Sequence, residues 1–187
     1  MLPWTRLESL AKAKLFSMID LSMTLLAASE RYPDREAIVE DGASWTYMRW
    51  FECVSQVAGG LAEVGLKPGD HLVTVLKNHW QTAALHWACQ LIGVISTPIN
   101  WRAKSEEIEF VLRDADAKAV AFEATTELAV NNTVQGRCLI RIAISGEGDL
   151  PFDDLVGGKP IEIERRERSE DISVMLYTSG TTGRGKG

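Results

Sequence analysis

A chain of 187 residues, 45% hydrophobic and 25% charged, can bury a sizeable core and reads as one globular domain or part of one. Its 26 acidic residues against 20 basic ones give a formal charge of -6, so the basic footprint expected of a nucleic-acid binder is missing. The three cysteines, Cys53, Cys89 and Cys138, are odd in number and lack Cys-x-x-Cys spacing, which argues against a disulfide framework or a zinc site and for a reducing cytoplasm. Each lies among apolar neighbours and reads as a small buried hydrophobe.

Residues 15–29 follow Lys12 and Lys14 in the manner of a secretory leader, but Asp20 breaks the apolar stretch and Glu8 sits where a basic region belongs. No apolar run reaches the roughly 18 residues that a spanning helix needs, so no membrane span is expected. In a cytoplasmic protein the sequon at Asn131 carries no glycan.

Short β-rich runs alternate with longer helical patterns, which predicts an α/β fold with a largely parallel sheet flanked by helices. Residues 37–40 read as a strand, Asp41-Gly42 as a turn, and 45–47 as the entry to a helix carrying Phe51, Val54, Ala58 and Leu61 on one face. Gly65 and Pro68-Gly69 close that helix. A strand over 71–76, a helix over 80–91 and a strand over 94–99 follow. Ser105 is placed to cap a helix with Glu106 and Glu107 in its first turn and Ile108, Val111 and Leu112 on its buried face. Residues 118–122 and 138–144 read as further strands.

His79 and His86 read as helix-face residues, because a seven-residue spacing sets them too far apart for one metal ion and no third ligand is nearby. Trp80, Trp87 and Trp101 read as packing residues beside an alanine-rich helix. From 145 to 171 the chain turns rich in glycine, proline and mixed charge and is expected to run over the surface before 172–177 re-enters the core as a strand.

That strand leads into Tyr-Thr-Ser-Gly-Thr-Thr-Gly-Arg-Gly-Lys-Gly, residues 177–187. Gly180, Gly183, Gly185 and Gly187 let backbone amides turn toward an anion. Thr178, Ser179, Thr181 and Thr182 supply hydroxyl donors, and Lys186 supplies a cation. A nucleoside triphosphate suits such a cradle. Residues 180–186 also match the first seven positions of the P-loop G-x-x-x-x-G-K-[ST], but the next residue is Gly187, which has no hydroxyl for magnesium.

With its hydroxyls ahead of the lysine, the segment instead resembles the signature phosphate loop of the adenylate-forming (AMP-binding) superfamily. It differs in one position, having Gly185 where that family usually has proline, which removes a backbone restraint. Residues 36–50 and 76–101 resemble the family's early strand, turn and helix entry and its alanine-rich helix with a Pro-Ile-Asn exit. Residues 101–122 are closer to its acyl-CoA synthetase and acid-CoA ligase branch.

The resemblance covers the chain from about Asp20 and implies, over residues 20–187, the N-terminal portion of the large adenylation domain, with residues 1–19 as an N-terminal extension and with ATP, Mg2+ and coenzyme A serving the complete enzyme. It implies that Thr178, Ser179, Gly180, Thr181, Thr182, Gly183 and Lys186 bind nucleotide phosphates, and that Lys186 is the catalytic residue that neutralises charge on departing pyrophosphate. No metal ligand is implied in these residues. The adenine, ribose and magnesium contacts of the family come after the loop, so this stretch by itself is expected to be inactive; the alternative is a non-catalytic nucleotide-binding or assembly remnant.

Overall fold

The computed structural model describes residues 21–161, 171–179 and 185–186. Helix α1 spans Leu21–Arg31 and leads to strands β1, Glu36–Glu40, and β2, Ala43–Thr46, which form an antiparallel hairpin. Its tip is Asp41-Gly42, with φ of 49° and 80°. Two consecutive positive φ values are what a tight hairpin turn needs to match the twist of its strands, and Asp-Gly is among the pairs that tolerate them. The predicted helix entry at Trp45 is thus the second strand of this hairpin, and the helix starts after it.

Helix α2 spans Tyr47–Glu63, with Trp50, Val54, Val57, Ala58 and Leu61 buried at helical spacing. Strand β3, His71–Val75, is followed by α3, Trp80–Ile92, and β4, Ile95–Pro98. Gly93 ends α3 in the left-handed region at φ 74°. Helix α4, Ser105–Asp114, begins at Ser105 itself, so Ser105 is its first residue and the cap falls one residue earlier than predicted. The flanking residue is Lys104, whose backbone N–H donates to Glu107 Oε2 at 2.9 Å. Then come β5, Ala119–Phe122; α5, Ala124–Asn131; a 3-10 turn, Gln135–Arg137; β6, Ile140–Ala143; β7, Leu150–Pro151; and α6, Phe152–Val156.

The five strands pair in the order β4-β3-β5-β6-β7, every pair parallel. The four residues of β5 are all buried, as are four of the five in β3, because both sheet faces are covered. On one face α2, α3 and α6 contribute Trp50, Leu61, Leu85 and Phe152 to a core; on the other α4 contributes Ile108, Val111 and Leu112 against Val73, Val120 and Phe122.

Two expectations are corrected in the segment after β6. Phe152 and Leu155 are only 2% and 1% exposed, so α6 places these two side chains in the core while Pro151, Asp153 and Asp154 stay exposed, and the stretch from 145 is not a surface excursion throughout. Residues 172–177 form a single parallel bridge, Ser96 to Val174, and no continuous strand. Cys138 also departs from expectation: it ends the 3-10 turn and is exposed, whereas Cys89 is buried and Cys53 half-buried.

Candidate phosphate-loop site

The stem of the glycine-rich loop is held against the edge of the sheet. Ser96 N–H donates to Ser173 O at 3.1 Å, and Met175 N–H donates to Ser96 O at 3.0 Å. Gln90, a 5% exposed residue of α3, donates its side-chain amide to the same Ser173 oxygen at 3.1 Å. Two residues after Met175, Tyr177 lies against α4: its ring meets Phe110 edge-on at 6.2 Å, and its hydroxyl donates to Asp114 Oδ2 at 2.7 Å. Burial first, and then the Asp114 carboxylate, push the Tyr177 phenol up to about 12.

Beyond Tyr177 the backbone closes into a two-stranded antiparallel ribbon of β8, Thr178–Ser179, and β9, Gly185–Lys186. Thr178 pairs with Lys186 and Ser179 with Gly185. Of the sequence-predicted site residues, Thr178, Ser179 and Lys186 are therefore brought together at the base of the loop. Gly180, Thr181, Thr182 and Gly183 lie outside the described residues.

In open α/β sheets ligands gather at the carboxyl ends of strands, where the strand order reverses, here between β3 and β5. That position is filled by an ion network. Glu123, immediately after β5, is 4% exposed and meets Lys77 Nζ at 3.3 Å and His79 Nε2 at 2.8 Å. The Thr125 hydroxyl also donates to it. Burial alone would raise the Glu123 carboxyl, but the hydrogen bonds from Thr125, His79 and Lys77 outweigh it and hold it below its usual range. The other His79 nitrogen lies 3.2 Å from Glu40 Oε1, and Glu40 Oε2 accepts the Trp80 N–H at 2.6 Å. A carboxylate from β1 thus caps the positive end of α3.

His79 is consequently an N-cap residue joining two carboxylates, a correction to its reading as a helix-face residue. His86 is half-buried with its ring edge-on to Trp87 at 5.6 Å, and burial lowers its basicity. Trp80 packs between Trp45 and Phe152, at 5.2 and 5.4 Å. Trp101 departs from the packing expectation, since its ring is approached by the cations of Lys77 at 4.8 Å and Arg102 at 4.0 Å. No signal in the sequence paired Tyr177 with Asp114, or Glu40 with His79, because their partners lie 63 and 39 residues apart. Among the described residues no group of three histidine, cysteine or acidic side chains could hold a metal ion.

The stem of the glycine-rich segment thus lies at the edge of a parallel α/β sheet. The AMP-binding enzyme family matches residues 25–187, and the chain belongs to that family. It is 30% identical over 155 residues to a feruloyl-CoA synthase from Amycolatopsis sp, covering 83% of this chain and 30% of that protein. It is also 30% identical over 156 residues to the long-chain-fatty-acid–CoA ligase FadD15 of Mycobacterium tuberculosis, covering 76% and 26%. Surfactin synthase subunit 2 of Bacillus subtilis is 28% identical over 158 residues, covering 84% and 4%. The chain thus spans about a third or less of the length of these relatives.

Among solved structures, the anthranilate CoA ligase AuaEII has a TM-score of 0.81 at 22% identity, covering 90% of this chain and 34% of that one. The N-terminal domain of FACL13 from Mycobacterium tuberculosis has a TM-score of 0.79 at 22% identity, covering 91% and 44%. These likenesses establish the fold: an α/β domain shared with parts of those two proteins.

Proposed function

We propose that residues 20–187 form the N-terminal part of an adenylation domain in an ATP-dependent acid-CoA ligase, preceded by an extension over 1–19. In the complete reaction a carboxylate oxygen bonds to the α-phosphorus of ATP, the bond to the β-phosphate bridge breaks and pyrophosphate departs. A thiol, that of coenzyme A, then attacks the acyl carbon and AMP leaves. The single observation that carries the reading is the ribbon pairing Thr178 with Lys186 and Ser179 with Gly185, since it returns the lysine to the hydroxyl-bearing stem of the loop.

In this reading the amides of Gly180 and Gly183 and the hydroxyls of Thr178, Ser179, Thr181 and Thr182 orient the β and γ phosphates. Lys186 neutralises charge that builds on the leaving pyrophosphate; positioning and charge stabilisation are the main contributions a protein makes to phosphoryl chemistry. Mg2+ would accompany the triphosphate and offset its charge, and no described residue is assigned to it. The CoA ligases among the relatives support coenzyme A as the thiol acceptor. A cytoplasmic location, where ATP and coenzyme A are available, belongs to the same reading. We place full activity in a protein that supplies the remaining length of the relatives, and not in these residues alone.

The test is ATP–pyrophosphate exchange by a protein carrying these residues at that full length, across a panel of aryl and fatty acids. Lys186→Ala or Thr181→Ala is expected to lower exchange by roughly 100-fold or more without altering the circular dichroism spectrum. Unchanged exchange removes the loop assignment. Lack of exchange by the unaltered protein with every acid favours the non-catalytic alternative.

A further inference from the structure

We infer that Asp114 and Tyr177 form a positioning latch that sets where the glycine-rich loop leaves the sheet. The inference deepens the phosphate-loop reading and rests on it for its catalytic consequence. Phe110 and Asp114 are four residues apart on α4, and this spacing puts them on one helix face, one turn from each other. Tyr177 uses both: its ring lies edge-on to Phe110 and its hydroxyl donates to Asp114. A ring contact fixes where the side chain lies, and a hydrogen bond at its far end fixes how far it reaches. Together they hold the residue adjoining Thr178, the first residue of the ribbon that closes on Lys186.

Two features of the surroundings favour a placed contact over an incidental one. Asp114 is the last residue of α4, where the negative end of the helix dipole disfavours an acid. A phenolic donor at 2.7 Å relieves that conflict. The stem is also held independently four and two residues earlier: Ser173 O accepts from Ser96 N–H and from the Gln90 amide, and Met175 N–H donates to Ser96 O. Those bonds make the one bridge of residues 172–177 to the sheet, and Tyr177 follows it, so the latch supplies the last tertiary restraint before the ribbon among the contacts described. Gly185 in place of the family's usual proline makes an external restraint on this loop more consequential.

The experiment is amide hydrogen exchange over residues 178–187 of this chain, comparing the unaltered protein with Tyr177→Phe, Asp114→Ala, Asp114→Asn and the Tyr177→Phe/Asp114→Ala pair. Tyr177→Phe keeps the ring on Phe110 and removes only the donor; Asp114→Asn keeps an acceptor. Exchange in the loop is expected to quicken by roughly 3- to 10-fold in Tyr177→Phe and Asp114→Ala, with the double variant no faster than either and Asp114→Asn near the unaltered protein. Strands β3 and β5 are expected to exchange as before. Unchanged loop exchange, additive effects, or equal loosening of the sheet overturns the latch. In the full-length protein the same two variants are expected to raise the KM for ATP by roughly 3- to 10-fold with kcat less affected. A protein with no ATP–pyrophosphate exchange at all refutes the ligase reading, and the amide exchange comparison still decides the latch.

Discussion

His79 Nε2 lies 2.8 Å from Glu123 Oε2, a carboxylate buried at the carboxyl end of β5. Because Glu123 also receives Lys77 and Thr125, removing the histidine leaves a buried acceptor partly unpaired without emptying the site. His79→Ala is therefore expected to destabilise the fold by about 1–3 kcal/mol. A urea midpoint that falls at unchanged m-value would bear this out; an unchanged midpoint would mean that water replaces the ring at no cost.

The depressed Glu123 carboxyl also fixes a direction in pH. Its ionised form is favoured by folding, so its contribution is fully present above the unfolded carboxylate value of about 4.3 and is lost as pH falls through the lower folded value. Relative to the unaltered protein, Glu123→Gln should be less stable at neutral pH and lose less on acidification. Parallel acid-unfolding curves would contradict this.

Gly59 and Gly60 sit inside α2, where glycine weakens a helix by about 1 kcal/mol relative to alanine. Packing decides the sign of a substitution here. A Cβ on Gly60 would come within 2.9 Å of Leu155 Cα, and one on Gly59 would meet the backbone carbonyl of Lys159. Gly60→Ala is thus expected to destabilise by about 1–3 kcal/mol despite its better helix propensity, read as a lowered Tm. A raised Tm would mean that α6 shifts freely.

The cysteines should separate by access. Cys138 is exposed, whereas Cys89 is fully buried and its thiol is pushed up to about 12. Under native conditions near neutral pH, a thiol reagent should modify Cys138 rapidly and leave Cys89 untouched until unfolding, as peptide mass mapping would reveal. Labelling of Cys89 at the rate of Cys138 would contradict the packing of α3.

Tyr177 gives an alkaline counterpart. With its phenol held near 12 against about 10 in an unfolded chain, folding favours the neutral donor. The hydroxyl's contribution is fully present below pH about 10 and is lost as pH rises through about 12. The stability difference between the unaltered protein and Tyr177→Phe should shrink over that window; a difference that stays constant would show that the hydroxyl contributes nothing through its bond to Asp114.

Much of this protein is determined by local sequence. Alternating apolar runs and helical periodicities give β3, α3, β4, α4 and β5 within a residue or two, because each needs only its own pattern and its capping residues. The composition of residues 177–187 likewise offers glycine, hydroxyl and lysine, the chemistry that a phosphate cradle requires, before any fold is known. Tertiary structure alone decided the rest. The second hairpin strand at 43–46, the burial of Phe152 and Leu155, and the single bridge at Val174 depend on which surfaces meet. The partners of His79 and Tyr177 lie 39 to 63 residues away, so no spacing rule connects them. Local sequence encodes elements and the chemistry a loop can offer; how the stem at 173–177 is held is a property of long-range contacts, which exist only once the sheet and helices have packed.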